Sequence, residues 1–138
     1  MRYEFAEDIQ KLAGEISILL FPHIDLNNLK CYRSYGTSSR GTIARCHGLC
    51  KIMQKAIGVK AIYVLEFLTE RYEKLSDEDK LKVIIHELMH IPKAFGGGFI
   101  HHNVVTDRNV NLCYAEYKKM KIKNFQNPKQ KLADETCL

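Results

Sequence analysis

The stretch LKVIIHELMHIP, residues 81–92, decides how the rest of the chain is read. It sets His86, Glu87 and His90 in the pattern H-E-x-x-H. Residues four apart on a helix share a face about one turn apart, so the two imidazoles can hold one metal ion between them. Glu87, next to the first histidine, can reach a water on the open side of that ion. This is the spacing of a zinc peptidase, in which one helix supplies two ligands and a general base. Leu81, Ile84, Ile85 and Leu88 make the rest of the segment apolar, so the helix is expected to lie deep in the fold. Buried polar groups must be paired or coordinated, and a metal supplies the partner. The alternative is a core helix whose histidines bond to carbonyls, which has no use for Glu87 between them.

The flanks delimit this helix. Ser76 followed three residues later by Asp79 has capping-box spacing, and acids at 77, 78 and 79 suit the positive end of the helix dipole. The helix is therefore predicted from about 77 to about 91, where Pro92 stops it. Gly96, Gly97 and Gly98 then permit a sharp return, and His101 and His102 follow. Catalytic zinc usually takes three protein ligands and a water. One of this adjacent pair is expected to be the third ligand, because neighbouring side chains diverge; a surface loop histidine is the plainer reading of either alone.

Upstream, residues 4–20 repeat apolar positions at three- and four-residue steps and read as an amphipathic helix ended by Pro22. LKCYRSY, 29–35, alternates as a half-exposed strand, and GTSSRG, 36–41, is a turn. Residues 42–49 are expected to form a second strand in a hairpin with the first. Residues 49–57 read as a short helix closed by Gly58, and 68–75 as a turn of helix. The strongest strand, 60–67, is nominated as the edge beside the metal helix, where an extended peptide can pair. Residues 108–122 read as a last helix, with Tyr114 or Tyr117 able to reach an oxyanion or simply to pack.

HELMHIPKAFGGGFIHHN resembles a small family of metallopeptidases of archaea and phages, whose members carry H-E-L-x-H-I-P-x-x-F-x-G-G followed by a histidine. The resemblance runs from about residue 40 to 122. It implies a minimal zincin, similar in outline to the SprT-like peptidases, with His86 and His90 as zinc ligands and Glu87 as the base. In register with the motif the third ligand falls on His102 rather than His101. The resemblance to SprT-like proteins also motivates nucleic acid as a partner, which the late lysines permit.

The totals bound the rest. A chain of 138 residues with 46% hydrophobic and 27% charged residues fits one ordinary globular domain, expected over 1–123 with a polar tail over 124–138. No apolar run is long enough for a transmembrane helix, and the acidic, mixed N-terminus is wrong for a signal peptide. The net charge of +5 is concentrated in Lys118, Lys119, Lys121, Lys123, Lys129 and Lys131. These read first as a solvated face and second as a nucleic-acid contact, since no aromatic stacking pattern accompanies them. Cys31, Cys46, Cys50, Cys113 and Cys137 are an odd number and read as reduced thiols of a cytoplasmic protein. In RCHGLC, small core cysteines are favoured over a metal pair with His47. The expected architecture is α+β: three helices around a small antiparallel or mixed sheet of about three strands, packed on the H-E-x-x-H helix. The expected cofactor is one Zn²⁺ ion and the expected substrate a peptide or protein. Three histidines also suit other divalent metals.

Overall fold

The computed structural model describes residues 1–126. Helix α4, Asp77–Met89, sits where the H-E-x-x-H stretch placed it. Ser76 caps it by accepting from the Asp79 amide at 3.2 Å, and His90 is its C-cap. Ile84, Ile85 and Leu88 are fully buried, each contributing about 1.5–3 kcal/mol of apolar transfer. The stripe they form lies on the sheet and on two further helices, α1 (Glu7–Leu20) and α5 (Asp107–Gln126). Two short α-helices, α2 (Lys51–Ile57) and α3 (Thr69–Tyr72), and a 3-10 turn at Leu26–Asn28 complete the helical part of the described residues. Gly58 closes α2 in the left-handed region, φ 78°, as a C-terminal glycine does.

The sheet is four-stranded and mixed, in the order β1-β2-β4-β3. The strands are β1 Arg2–Phe5, β2 Leu29–Tyr35, β3 Ala44–Gly48 and β4 Tyr63–Leu68. Its helix-covered face carries Leu29, Cys31, Tyr63, Leu65 and Phe67, all buried. The chain is thus α+β, with one strand more than the sequence suggested. The extra strand is β1, whose last two residues fall in the span read as helix. Glu4 and Phe5 pair with Arg33 and Tyr32, and the helix begins only after Ala6, whose amide bonds the Cys31 carbonyl at 2.9 Å.

Two pairings differ from expectation. The expected hairpin between residues 29–35 and 42–49 does not form. β2 pairs in parallel with β4, Leu29 opposite Tyr63, and β3 pairs antiparallel with β4, Ala44 opposite Phe67. The most apolar strand therefore lies between the other two, where both its edges are covered. The segment nominated as the open edge is interior; the edges are β1 and, on the side of the metal helix, β3.

Arg33 ties the helices to the sheet. It donates to both Asp8 carboxylate oxygens, at 2.7 and 2.8 Å, and to Glu73 at 2.7 Å. No helix among the described residues is long and apolar enough to cross a membrane.

Candidate metal centre

The helix ends at Met89 and Pro92 prevents its continuation, so the chain leaves just beyond His90. It returns through the glycine run to bring a third imidazole opposite the first two. His86, His90 and His102 offer ligand nitrogens that all lie within 4.8 Å of one another. Their ring centroids are 5.0, 5.4 and 4.8 Å apart for the pairs 86–90, 86–102 and 90–102. The helical i, i+4 spacing accounts for the first pair. Tertiary folding alone accounts for the other two.

The tautomer of His90 follows from its neighbour. Its Nδ1 lies 2.6 Å from the Ile100 carbonyl oxygen, and a carbonyl can only accept. Nδ1 therefore carries the proton and Nε2 keeps its lone pair, the arrangement a metal-binding imidazole needs. The donor set fits a divalent ion: three neutral nitrogens converging from a helix and the loop after it, with His102 exposed toward the groove. Burial, then the neighbouring imidazoles, lowers the pKa of His86; at His90 burial lowers it against the opposing bond to Ile100, and both shifts favour the unprotonated, ligating forms.

Glu87 is buried, with 6% of its surface exposed. Burial pushes its carboxyl up to about 7. It lines a groove of about 980 Å³ that also contains the three histidines. One wall is β3 and the turn before it, Gly41–Cys46; the other is α4 from Asp79 to His90, with Phe99, Asp107 and Val110 at the far end.

His101 also lines the groove but stands outside the imidazole cluster, so the structure brings together the triplet with His102. Tyr117 is buried in the core. Tyr114 does not line the groove and instead lies beneath Lys82 and Lys118, 5.2 and 4.8 Å from its ring centre.

The cysteines divide. Cys31 is core, but Cys46 lines the groove and Cys50 is exposed, so RCHGLC is not the core pair expected. Nor do they form a metal site: among the described residues the three histidines are the only such cluster. His47 instead bonds Glu66 across the strands at 2.8 Å. Burial, with Glu87 nearby, pushes the Cys46 thiol up to about 12, so it stays protonated. Cys46 became visible only through register, because it is paired with Leu65 on the helix-covered face.

The lysines behave as a solvated face where they are described. Lys121 lies 3.4 Å from Glu15 and Lys118 lies over Tyr114. Lys129, Lys131 and Cys137 lie outside the described residues. Of the expected tail, 124–126 belongs to α5 and the remainder lies outside them too.

No curated protein and no solved structure matches the chain. A family model does: the one described as "Putative phage metallopeptidase" matches residues 1–130, a span that holds the whole groove and all three histidines, and the chain belongs to that family.

Proposed function

We propose that the protein is a zinc-dependent peptidase in which His86, His90 and His102 hold the ion and Glu87 is the general base. The observation that carries this reading is the meeting of three imidazoles beside a buried carboxyl on the wall of an open groove. Three histidines with room left for solvent are a catalytic rather than a structural donor set. Bound there, a divalent ion supplies Lewis acidity, which acidifies a water toward pKa about 7 and polarises a scissile carbonyl.

The chain's own groups do the rest. His86 and His90 enter as neutral ligands, the second locked by its bond to Ile100. Glu87 takes the proton of the attacking water on a carboxylate oxygen and passes it to the leaving amine. A carboxylate beside the ion, sequestered in the groove, suits both transfers. The substrate backbone is held by β3. The Ile43 carbonyl accepts from Leu68, and the Leu49 amide donates to Ile62. By alternation, Ala44 and Cys46 turn their amides and carbonyls away from β4, toward the groove. An extended peptide can pair with that edge, which lays its carbonyl beside Glu87.

Glu87→Gln tests the assignment. The variant is expected to retain one metal ion per chain by elemental analysis. Its turnover of a library of internally quenched peptides should fall by about 10²–10⁴. Wild-type turnover in that variant would remove Glu87 from the mechanism. A wild-type protein that purifies and reconstitutes without metal would remove the reading altogether.

A further inference from the structure

His102 reaches the other imidazoles on a segment without helix or strand, between His90 and α5. Such a loop must be held by something if its ligand is to stay within reach. Two anchors are visible. The first is His90 itself: its carbonyl accepts from the Ile100 amide at 2.8 Å, and its ring bonds the Ile100 carbonyl. The second comes from the middle of the sheet. The Tyr63 hydroxyl, on β4, accepts from the Gly97 amide and donates to the Gly98 carbonyl, both at 2.8 Å.

The surroundings of Tyr63 are shaped for this contact. The residue is fully buried, and its ring is flanked by Phe95 and Phe99, centroids 4.8 and 6.3 Å away. Its cross-strand partner is Gly48, where an added Cβ would lie 3.0 Å from the Gly97 carbonyl oxygen and 3.1 Å from the rings of Phe99 and Tyr63. Only a residue without a side chain lets the loop close down there. Phe95 is held at φ 47°, a region that bulky residues avoid, so the packed rings must outweigh its strain. From the other side, Gln54 on α2 donates to both Leu49 and Gly96 carbonyls, at 2.7 and 3.0 Å. Burial raises the Tyr63 pKa and keeps the phenol protonated as a donor.

We propose that Tyr63, with Gln54, is a positioning residue that fixes the glycine loop so that His102 is held in ligating position. The proposal rests on the metal-site reading above. Neither residue touches the ion or the substrate; both act through the loop. The phenol joins the central strand to the loop four residues before the third imidazole, and Gln54 stops the loop from lifting off α2.

The test measures Zn²⁺ affinity by chelator competition and the visible absorption of the Co²⁺-loaded protein. It uses wild type, Tyr63→Phe, Gln54→Leu and Ile16→Val. The last truncates a buried side chain of α1, a helix that makes none of the loop bonds named above, and reports what general loosening does. Tyr63→Phe and Gln54→Leu are expected to bind Zn²⁺ about 10–100-fold more weakly, the usual cost of losing a group that orients a ligand. Their Co²⁺ bands should shift and weaken, while Ile16→Val keeps wild-type affinity and spectrum. Wild-type affinity and spectrum in both loop variants overturn the proposal. So does an equal loss in Ile16→Val. If Tyr63→Phe does not fold, Gln54→Leu decides alone, and unchanged affinity there overturns it. A wild type that binds no metal is a different failure: it defeats the metal-site reading rather than the role of Tyr63.

Discussion

Gly97→Ala should damage this protein far more than Gly98→Ala, although the two glycines are neighbours in one run. Gly97 has φ 101°, and a Cβ built there would run into the Leu49 carbonyl oxygen and lie 2.6 Å from Gln54 Nε2. The Gln54 amide sits at the end of a side chain and can move. The Leu49 carbonyl is backbone and its residue is bonded into the sheet through Ile62, so it cannot. Two costs add. An alanine at that φ costs about 1–3 kcal/mol, and the overlap forces a backbone shift of about 1–3 kcal/mol more. The sum is about 4 kcal/mol, or roughly 10 °C in Tm at about 3 °C per kcal/mol for a chain of this size. At Gly98 an added Cβ meets nothing within 4 Å and φ is not in the left-handed region. That substitution should stay within about 0.5 kcal/mol. Urea unfolding of both variants in EDTA measures the difference without contribution from metal. Because the shift at Gly97 displaces the loop that carries His102, its Zn²⁺ affinity should fall as well. Equal stabilities for the two variants would refute the steric argument and the loop path it assumes.

Other outcomes follow from the same geometry. His102→Ala should abolish stoichiometric metal binding while His101→Ala leaves it intact, measured by elemental analysis; the reverse result would move the third ligand. Zn²⁺ at 1,000 times its dissociation constant should stabilise the wild type by about 4 kcal/mol, a rise in Tm that EDTA reverses and His90→Ala removes. Arg33→Met breaks three charge-assisted bonds, but Asp8 and Glu73 are 64% and 39% exposed and regain water, so about 1–3 kcal/mol is expected. That loss should depend on pH. Arg33 holds the Asp8 carboxyl below its ordinary value, and at Glu73 burial pushes upward but bonds from Arg33 and Lys80 win. Both bind fewer protons folded than unfolded, so their contribution is complete at neutral pH and disappears as pH falls through the lowered folded values. Denaturant midpoints of wild type and Arg33→Met should draw together as pH falls below about 4; a gap that stays undiminished from neutral pH to strongly acidic pH would contradict the ion-pair account.

Local rules were a good guide wherever a contact is made within one turn of chain. The Ser76 cap, the arrest at Pro92, the glycine closure of α2 and the shared face of His86 and His90 all depend on residues a few positions apart. The same rules failed for strand partners. The Ala44–Gly48 segment has the right composition to be a strand, but whether it meets β2 or β4 depends on which pairing buries more apolar surface across the whole sheet. A short N-terminal strand was masked for a related reason. Arg2–Phe5 is exposed along its length and runs straight into an amphipathic helix, so no buried alternation marks the boundary.

The site divides along the same line. By its sequence alone this chain determined two imidazoles one helical turn apart, a carboxylate between them, and a flexible return carrying another histidine pair, because helical periodicity and the backbone preferences of proline and glycine act locally. Only the tertiary structure brought His102, to which the family motif pointed, into the cluster and left His101 outside it, made β3 rather than β4 the groove wall with Cys46 on it, and tied Tyr63 to the returning loop. Those facts depend on strand register and loop closure, where residues tens of positions apart compete for one buried space, and no window of neighbouring residues contains that competition.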